Sequence, residues 1–409
     1  MKCRFCSEPL ELDLIDLGFA PPSNAYLSKE ELQRPEIYYP LHIQVCTTCH
    51  LVQTRDYVSQ TDVFKSDYAY FSSTSSSWLE HARHFAERSI LEFGLSQNSL
   101  VVEIASNDGY LLKNYLEAGI GVLGIEPTRS TSQVAIACGI ETIVEFLDES
   151  LSLRIKSNGQ QADLLIGNNV YAHVPDINDF TSALAILLKP QGCLVLEFPH
   201  ILRLLQEQTF DTIYHEHFSY HSLSTVLKIF EKASLRIWKV EELKTHGGSL
   251  RIYGCHESSN FDRDPSVDKM IRVEEEFGLS NLETYSHLQK QAESIKDSLL
   301  EFLLEQKKLG KSVGAYGAAA KGNTLLNFSG IKPDLIQFVV DAADAKQGKY
   351  LPGSHIPIYP PTYLDFNLPD YLIILPWNLQ EEVRSQLSHL RDEKVQLVIA
   401  MPNLKILDW

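Results

Sequence analysis

The stretch Val101–Leu112, VVEIASNDGYLL, most constrains what this chain can fold into. Two β-branched residues lead to an acid, Glu103. Small and polar residues follow, Ala105-Ser106-Asn107-Asp108, then Gly109 and the start of a helical run. This is the pattern of the first strand, tight turn and first helix of a Rossmann-type sheet, whose ligands bind at the carboxyl ends of the strands. A dinucleotide fold usually carries G-x-G-x-x-G at this turn, so that backbone amides can approach a pyrophosphate. Here only Gly109 is present, and an acid ends the strand. A carboxylate repels phosphate but can hold a cation. S-adenosylmethionine carries an ammonium and a sulfonium and has no phosphate, so the turn points to that cofactor over NAD. Glu103, Ala105, Asn107 and Gly109 are the candidate contacts.

A βα alternation continues from this turn. Leu100–Ala105, Gly121–Ile125, Ile140–Val144, Ala162–Gly167 and Cys193–Phe198 read as strands. Glu126 ends the second of them, twenty-three positions after Glu103. An acid there can accept from both hydroxyls of a ribose. Asn168 and Asn169 follow the fourth strand and join the candidate cofactor contacts. An amphipathic helix is expected over Asp176–Leu188, with Lys189-Pro190-Gln191-Gly192 turning into the next strand. Trp78–Phe93 has helical periodicity, with Leu79, Ala82, Ala86 and Ile90 on one side. Ahead of it, Ser66–Trp78 combines hydroxyls with Tyr68, Tyr70, Phe71 and Trp78, a loop suited either to ligand contact or to packing.

A second βαβ pattern fills the last third. Ser312–Tyr316, Leu335–Val340, Tyr371–Leu375 and Val395–Ile399 read as strands. The turn Gly317-Ala318-Ala319-Ala320-Lys321-Gly322-Asn323 could cradle a phosphate, with Lys321 and Asn323 meeting a diphosphate. A domain with this fold and no nucleotide of its own fits the turn as well, since it lacks G-x-G-x-x-G. Asp262–Gly310 is charged and helical, and Leu282–Leu309 reads as one long bridging helix.

The first fifty residues are bracketed by Cys3-x-x-Cys6 and Cys46-x-x-Cys49. Two such knuckles complete a tetrahedral four-sulfur site, which zinc prefers. A redox pair or four unrelated thiols are the other readings. Four sulfur ligands leave no open position, so the expected zinc is structural. The remaining thiols, Cys138, Cys193 and Cys255, sit in apolar surroundings and are expected in the core.

Tyr214-His215-Glu216-His217-Phe218-Ser219-Tyr220-His221 is the densest chemical stretch. It does not carry the H-E-x-x-H spacing of a metal site. Histidine is the side chain best poised to move a proton near neutral pH, and a nearby tyrosine can stabilise an oxyanion. His246-Gly247-Gly248-Ser249-Leu250-Arg251 is a glycine turn into a strand and a second candidate. The formal charge of −17 over 409 residues argues against a general nucleic-acid binder. No apolar run approaches a membrane span, and MKCRFC has no apolar central region of a signal peptide. A cytoplasmic enzyme with neither nucleic-acid nor membrane partner is expected.

The double C-x-x-C, E-I-A-S-N-D-G-Y with G-I-E-P, Y-H-E-H-F-S-Y, Y-A-Y-F-S-S, H-G-G-S-L-R and A-Y-G-A-A-A-K-G-N-T-L-L together resemble the sugar-nucleotide C-methyltransferases of deoxysugar biosynthesis. The likeness runs in the family's order over essentially the whole chain. It implies an α/β protein in three parts. These are a zinc-binding module over residues 1–65, a class I, Rossmann-like S-adenosylmethionine methyltransferase domain over 66–262, and a helical bridge with a second Rossmann-like domain over 263–409. It implies a nucleotide-diphosphate-linked 4-keto-deoxysugar as substrate, His217 as base, and Tyr214 with Glu216 or His215 on the oxygen side. Tyr68, Tyr70, Phe71, His173, His246, Lys321 and Asn323 complete the candidate substrate set. Where the family usually has E-I-G-S-N-D-G, this chain has Ala105. An NAD-dependent sugar-nucleotide oxidoreductase or epimerase, a methyltransferase for another small acceptor, and an assembly or regulatory protein with a decayed site are the competing readings.

Overall fold

The computed structural model describes residues 1–55, 57 and 71–409. Its largest sheet has seven strands. From edge to edge they are Leu235–Leu243, Ser249–His256, Leu188–Pro199, Ala162–Asn168, Leu100–Ile104, Gly121–Ile125 and Thr142–Ile143. Ser249–His256 runs antiparallel to both neighbours, and the other strand pairs are parallel. The central strand Leu100–Ile104 has sequence neighbours on one side and a crossover strand on the other. A crevice therefore opens at its carboxyl end, where the Ala105–Gly109 turn lies. Val101, Val102, Leu164, Leu165, Leu194 and Val195 are fully buried, which is why these strands read as continuous apolar runs.

The Lys189–Gly192 turn is not a separate turn. It bulges out of one long strand, with Leu188 pairing Ala162 and Cys193 pairing Leu164. The helices Ser76–Glu92 and Ile177–Leu187 lie where the apolar spacing puts them. The long helix begins later than its pattern suggests. Asn281 caps a short 3-10 turn, Leu282–Ser286, and the α-helix runs Leu288–Lys308. Leu288, Ala292, Ile295, Leu299 and Phe302 form its buried stripe as expected.

The C-terminal sheet has the order Ile358–Tyr359, Val339–Val340, Val313–Tyr316, Tyr371–Ile374, Gln396–Ile399 and Lys405–Leu407. All but the last pair are parallel. This is the second Rossmann-like unit. The N-terminal sheet is antiparallel, ordered Leu12–Ala20, Tyr39–Val45, Val52–Thr54 and Ser219–Tyr220. Its fourth strand comes from the Tyr214–His221 stretch, so that stretch is stitched to the N-terminal module. One core joins this sheet to the C-terminal unit through Leu14, Ile43, Leu202, Phe210, Leu299, Leu326 and Ile373. Another joins the cysteine knuckles to the central sheet through Cys3, Cys46, Leu51, Leu223 and Leu196.

Cys193 and Cys255 are buried, but Cys138 is exposed, contrary to expectation. It is the C-terminal cap of the helix Arg129–Ala137, whose buried side is carried by Thr131, Ser132 and Ala135.

Candidate active site and zinc centre

The sulfurs of Cys3, Cys6, Cys46 and Cys49 lie within 4.8 Å of one another. Cys3 and Cys49 are 3.6 Å apart, and Cys6 and Cys46 3.5 Å. A tetrahedral zinc–thiolate centre requires edges of about 3.8 Å. The four thiolates therefore fit a structural zinc. The Gln53 side-chain amide donates to the Cys3 sulfur at 3.2 Å, which orients one ligand from outside the centre.

A cavity of about 880 Å³ opens where the three sheets meet. The first wall is the turn after the central strand. Ala105 and Asn107 line it with backbones in the left-handed region, φ 55° and 51°. An L-residue there costs roughly 1–2 kcal/mol, which explains why glycine suits position 105. Ala105→Gly is expected to stabilise the protein by up to about 1 kcal/mol, after the unfolded-state entropy of glycine is subtracted. A thermal melt tests this, and a lower Tm for the variant would count against it. Gly109 does not line the cavity. A Cβ there, at φ 79°, would meet Ile140 Cδ1 at 2.3 Å, so this glycine serves helix packing.

Glu103 is wholly buried and does not line the cavity either. Tyr110 is the hydrogen-bonding side chain beside its carboxyl, and Asp108 Oδ1 and Asn168 Oδ1 have no hydrogen-bond partner. Burial, followed by repulsion from Asp108, raises the Glu103 carboxyl well above the usual range. Of these residues, Asn168 lines the cavity, and an unpaired acceptor there suits a cationic ligand and disfavours a phosphate. The residues present thus fit S-adenosylmethionine. Glu126 lines the same wall, with oxygens that accept from the Asn107 amide at 3.0 Å and the Thr128 amide at 2.8 Å. Burial raises its pKa, and the Thr128 bonds oppose that shift.

Tyr214, Glu216, His217 and His173 line the opposite side. His217 Nδ1 lies 3.0 Å from the Thr212 carbonyl. A carbonyl only accepts, so Nδ1 carries a proton, and in the neutral form of the ring Nε2 is the acceptor. The ring is flanked by Tyr214 at 4.0 Å and, edge-on, by His173 at 4.7 Å between centroids. Glu216 Oε1 accepts from the Asn24 side chain at 2.6 Å. His215 sits elsewhere. Its Nε2 lies 3.2 Å from the Tyr39 carbonyl, it does not line the cavity, and burial lowers its pKa to about 4. A ring that stays neutral against the N-terminal sheet is a packing element.

The C-terminal unit supplies Ala319, Ala320, Lys321 and Lys346 to the cavity, and Lys244 adds a further cation. Lys321 donates to Asn378 at 2.9 Å and lies over the Trp377 ring at 5.1 Å. Burial lowers the Lys321 pKa against the pull of Asp211, Lys346 is paired with Asp341 at 3.3 Å, and Glu145, Asp148, Asp176 and Asp179 line the same cavity. Asn323 instead donates to the Ser23 carbonyl at 2.6 Å and is no part of the lining. Phe71 lies just outside it, its carbonyl accepting from Thr74, while Ser72 and Thr74 line the cavity. Tyr68 and Tyr70 lie outside the described residues, as does the side chain of His246.

Trp78, from the aromatic loop, lines the cavity, and so do several residues that were not singled out from sequence, His81 among them. Trp78 and His81 stack at 4.9 Å, and His81 contacts the buried Glu197 at 3.0 Å. Arg251, from the glycine turn motif, donates to the same carboxylate at 2.9 Å. Burial alone would raise the Glu197 pKa, but His81 and Arg251 hold it below the usual range. Asn24 and Lys346 are lone polar residues in loops, and no local pattern marks them.

Residues 3–64 match a family of zinc binding domains, 78–240 a methyltransferase domain family, and 244–402 the C-methyltransferase C-terminal domain family. The C-methyltransferase NovU of Streptomyces niveus is 32% identical over 406 residues, covering 99% of this chain and 96% of its own. Magnesium protoporphyrin IX methyltransferase from Synechocystis is 17% identical, with a TM-score of 0.36 over 44% of this chain and 83% of that one. A SAM-dependent methyltransferase from Anabaena variabilis is 14% identical, with a TM-score of 0.35 over 43% and 85%.

Proposed function

We propose a reaction for this chain from the premise that it belongs to the C-methyltransferase family. It removes the C-3 proton of a nucleotide-diphosphate-linked 4-keto-deoxysugar and methylates the resulting enolate. The observation that carries this reading is the His217 ring, held with Nδ1 on the Thr212 carbonyl so that Nε2 is the basic nitrogen. It lines one cavity with the Ala105–Asn107 turn and the lysines.

When bound, S-adenosylmethionine supplies an electrophilic methyl on a sulfonium. Glu126 would take the ribose diol, and the unpaired Asn168 Oδ1 would favour the cationic end of the cofactor. Lys321, Lys346 and Lys244 neutralise the diphosphate. His217 Nε2 takes the C-3 proton, which the neighbouring ketone acidifies. The Tyr214 hydroxyl donates to the oxygen on which charge develops, and Glu216 beside it is fixed by Asn24. The C-3 carbanion would take the methyl that the bound cofactor supplies, with the thioether as leaving group. The proton stays on His217 until it passes to solvent. No metal is required, because the ketone is the electron sink. The zinc is structural.

The test incubates the protein with S-adenosylmethionine and thymidine, guanosine or cytidine diphosphate 4-keto-6-deoxysugars. The expected product gains one methyl, and carbon NMR locates it on a quaternary C-3. Methylation on oxygen or nitrogen would overturn the reading.

A further inference from the structure

The carbonyl that sets the His217 tautomer belongs to a 3-10 turn, Phe210–Thr212, and that turn is gripped by the C-terminal unit. The Trp377 indole N–H donates to Asp211 Oδ2 at 2.7 Å. Asp211 is 1% exposed, and its other oxygen has no hydrogen-bond partner. Thr324 donates to the Ile213 carbonyl at 2.7 Å, and Phe328 meets Phe210 edge-on at 5.5 Å. The far side of Trp377 is fixed as well. A Cβ on Gly247 would lie 2.9 Å from its ring, so the glycine turn admits the indole closely. Trp377 itself does not line the cavity, though Pro376 and Asn378 beside it do.

We propose that Trp377 is a positioning residue: its bond to Asp211 fixes the turn whose Thr212 carbonyl holds His217 Nδ1. The relay is short and each step is a directed bond. The indole anchors Asp211, the Asp211–Thr212 peptide follows, and the Thr212 carbonyl sets which ring nitrogen carries the proton. The base thereby depends on a residue of a different sheet domain. This rests on the reading of His217 as base, but its test does not.

Trp377→Phe keeps the ring that packs on Gly247 and removes the N–H. Nitrogen-15 NMR of histidine-labelled protein bound to S-adenosylhomocysteine reads the tautomer directly. In the native protein the His217 signal is expected as Nδ1-protonated. In Trp377→Phe it is expected to shift toward a mixture of tautomers, and kcat to fall about two- to thirty-fold with little change in KM. Asp211→Asn retains an acceptor for the indole and is expected to keep the native signal. If Trp377→Phe is not obtained folded, Asp211→Ala removes the same bond from the other side and is read in the same way. An unchanged His217 signal in the variant lacking the bond overturns the proposal. The spectrum is recorded without turnover. Undiminished turnover in a His217 variant would overturn the base assignment separately.

Discussion

His217→Asn is expected to lower kcat about a hundred- to ten-thousand-fold, the range over which a placed base accelerates proton transfer. Affinity for S-adenosylhomocysteine is expected to stay unchanged. Asparagine suits the position because its amide N–H can still reach the Thr212 carbonyl now bonded by Nδ1. The fold around the turn is therefore retained, and the nitrogen that accepts the proton is lost. The cavity wall built on Ala105, Asn107 and Glu126 belongs to other elements and contributes no atom to this change. Calorimetry with S-adenosylhomocysteine beside single-turnover kinetics separates the two effects. Full turnover in the variant would remove His217 from the mechanism, and loss of cofactor binding would show a structural role instead.

Cys46→Ser, or stripping the metal with a strong chelator, is expected to unfold the N-terminal module. Structural zinc in small modules is worth about 10–16 kcal/mol near neutral pH. That matches or exceeds the whole stability of a typical domain, about 5–15 kcal/mol. Cys46 is fully buried, and with Cys3 and Leu51 it packs into the core under the central sheet. The damage should reach the site. The Val52–Thr54 strand pairs with Ser219–Tyr220, two residues beyond His217. Loss of zinc is therefore expected to abolish activity along with the first thermal transition. Metal analysis and melting with and without chelator test this, and a zinc-free protein with an unchanged melt would contradict it.

Much of this architecture was legible because the chemistry was local. The four cysteines announce their centre by spacing alone, and the strand–turn–helix around Gly109 is contiguous. The apolar stripe from Leu288 to Phe302 repeats at helical intervals and is buried as read. Failures arose where distant segments decide. Nothing local to His215 shows that the Tyr39 carbonyl captures it while His217, two residues on, reaches the cavity. Asn323 reads from sequence as part of a phosphate-cradling turn, yet it lies in the helix Ala320–Phe328 and donates to the Ser23 carbonyl of the N-terminal module. The Lys189–Gly192 turn became a bulge because pairing with Ala162 and Leu164 continues across it. Glu197 is a polar residue in the apolar strand Leu188–Pro199. Its partners His81 and Arg251 lie in a helix and a strand far away in sequence.

The central claim is proton removal from carbon by His217, and hydrogen exchange at C-3 measures it most directly. The 4-keto sugar nucleotide is incubated in deuterium oxide with S-adenosylhomocysteine in place of the methyl donor, and C-3 is followed by proton NMR. The native enzyme is expected to exchange the C-3 hydrogen well above the enzyme-free rate, and His217→Asn only at that background rate. Equal exchange by the native protein and the variant would contradict the account.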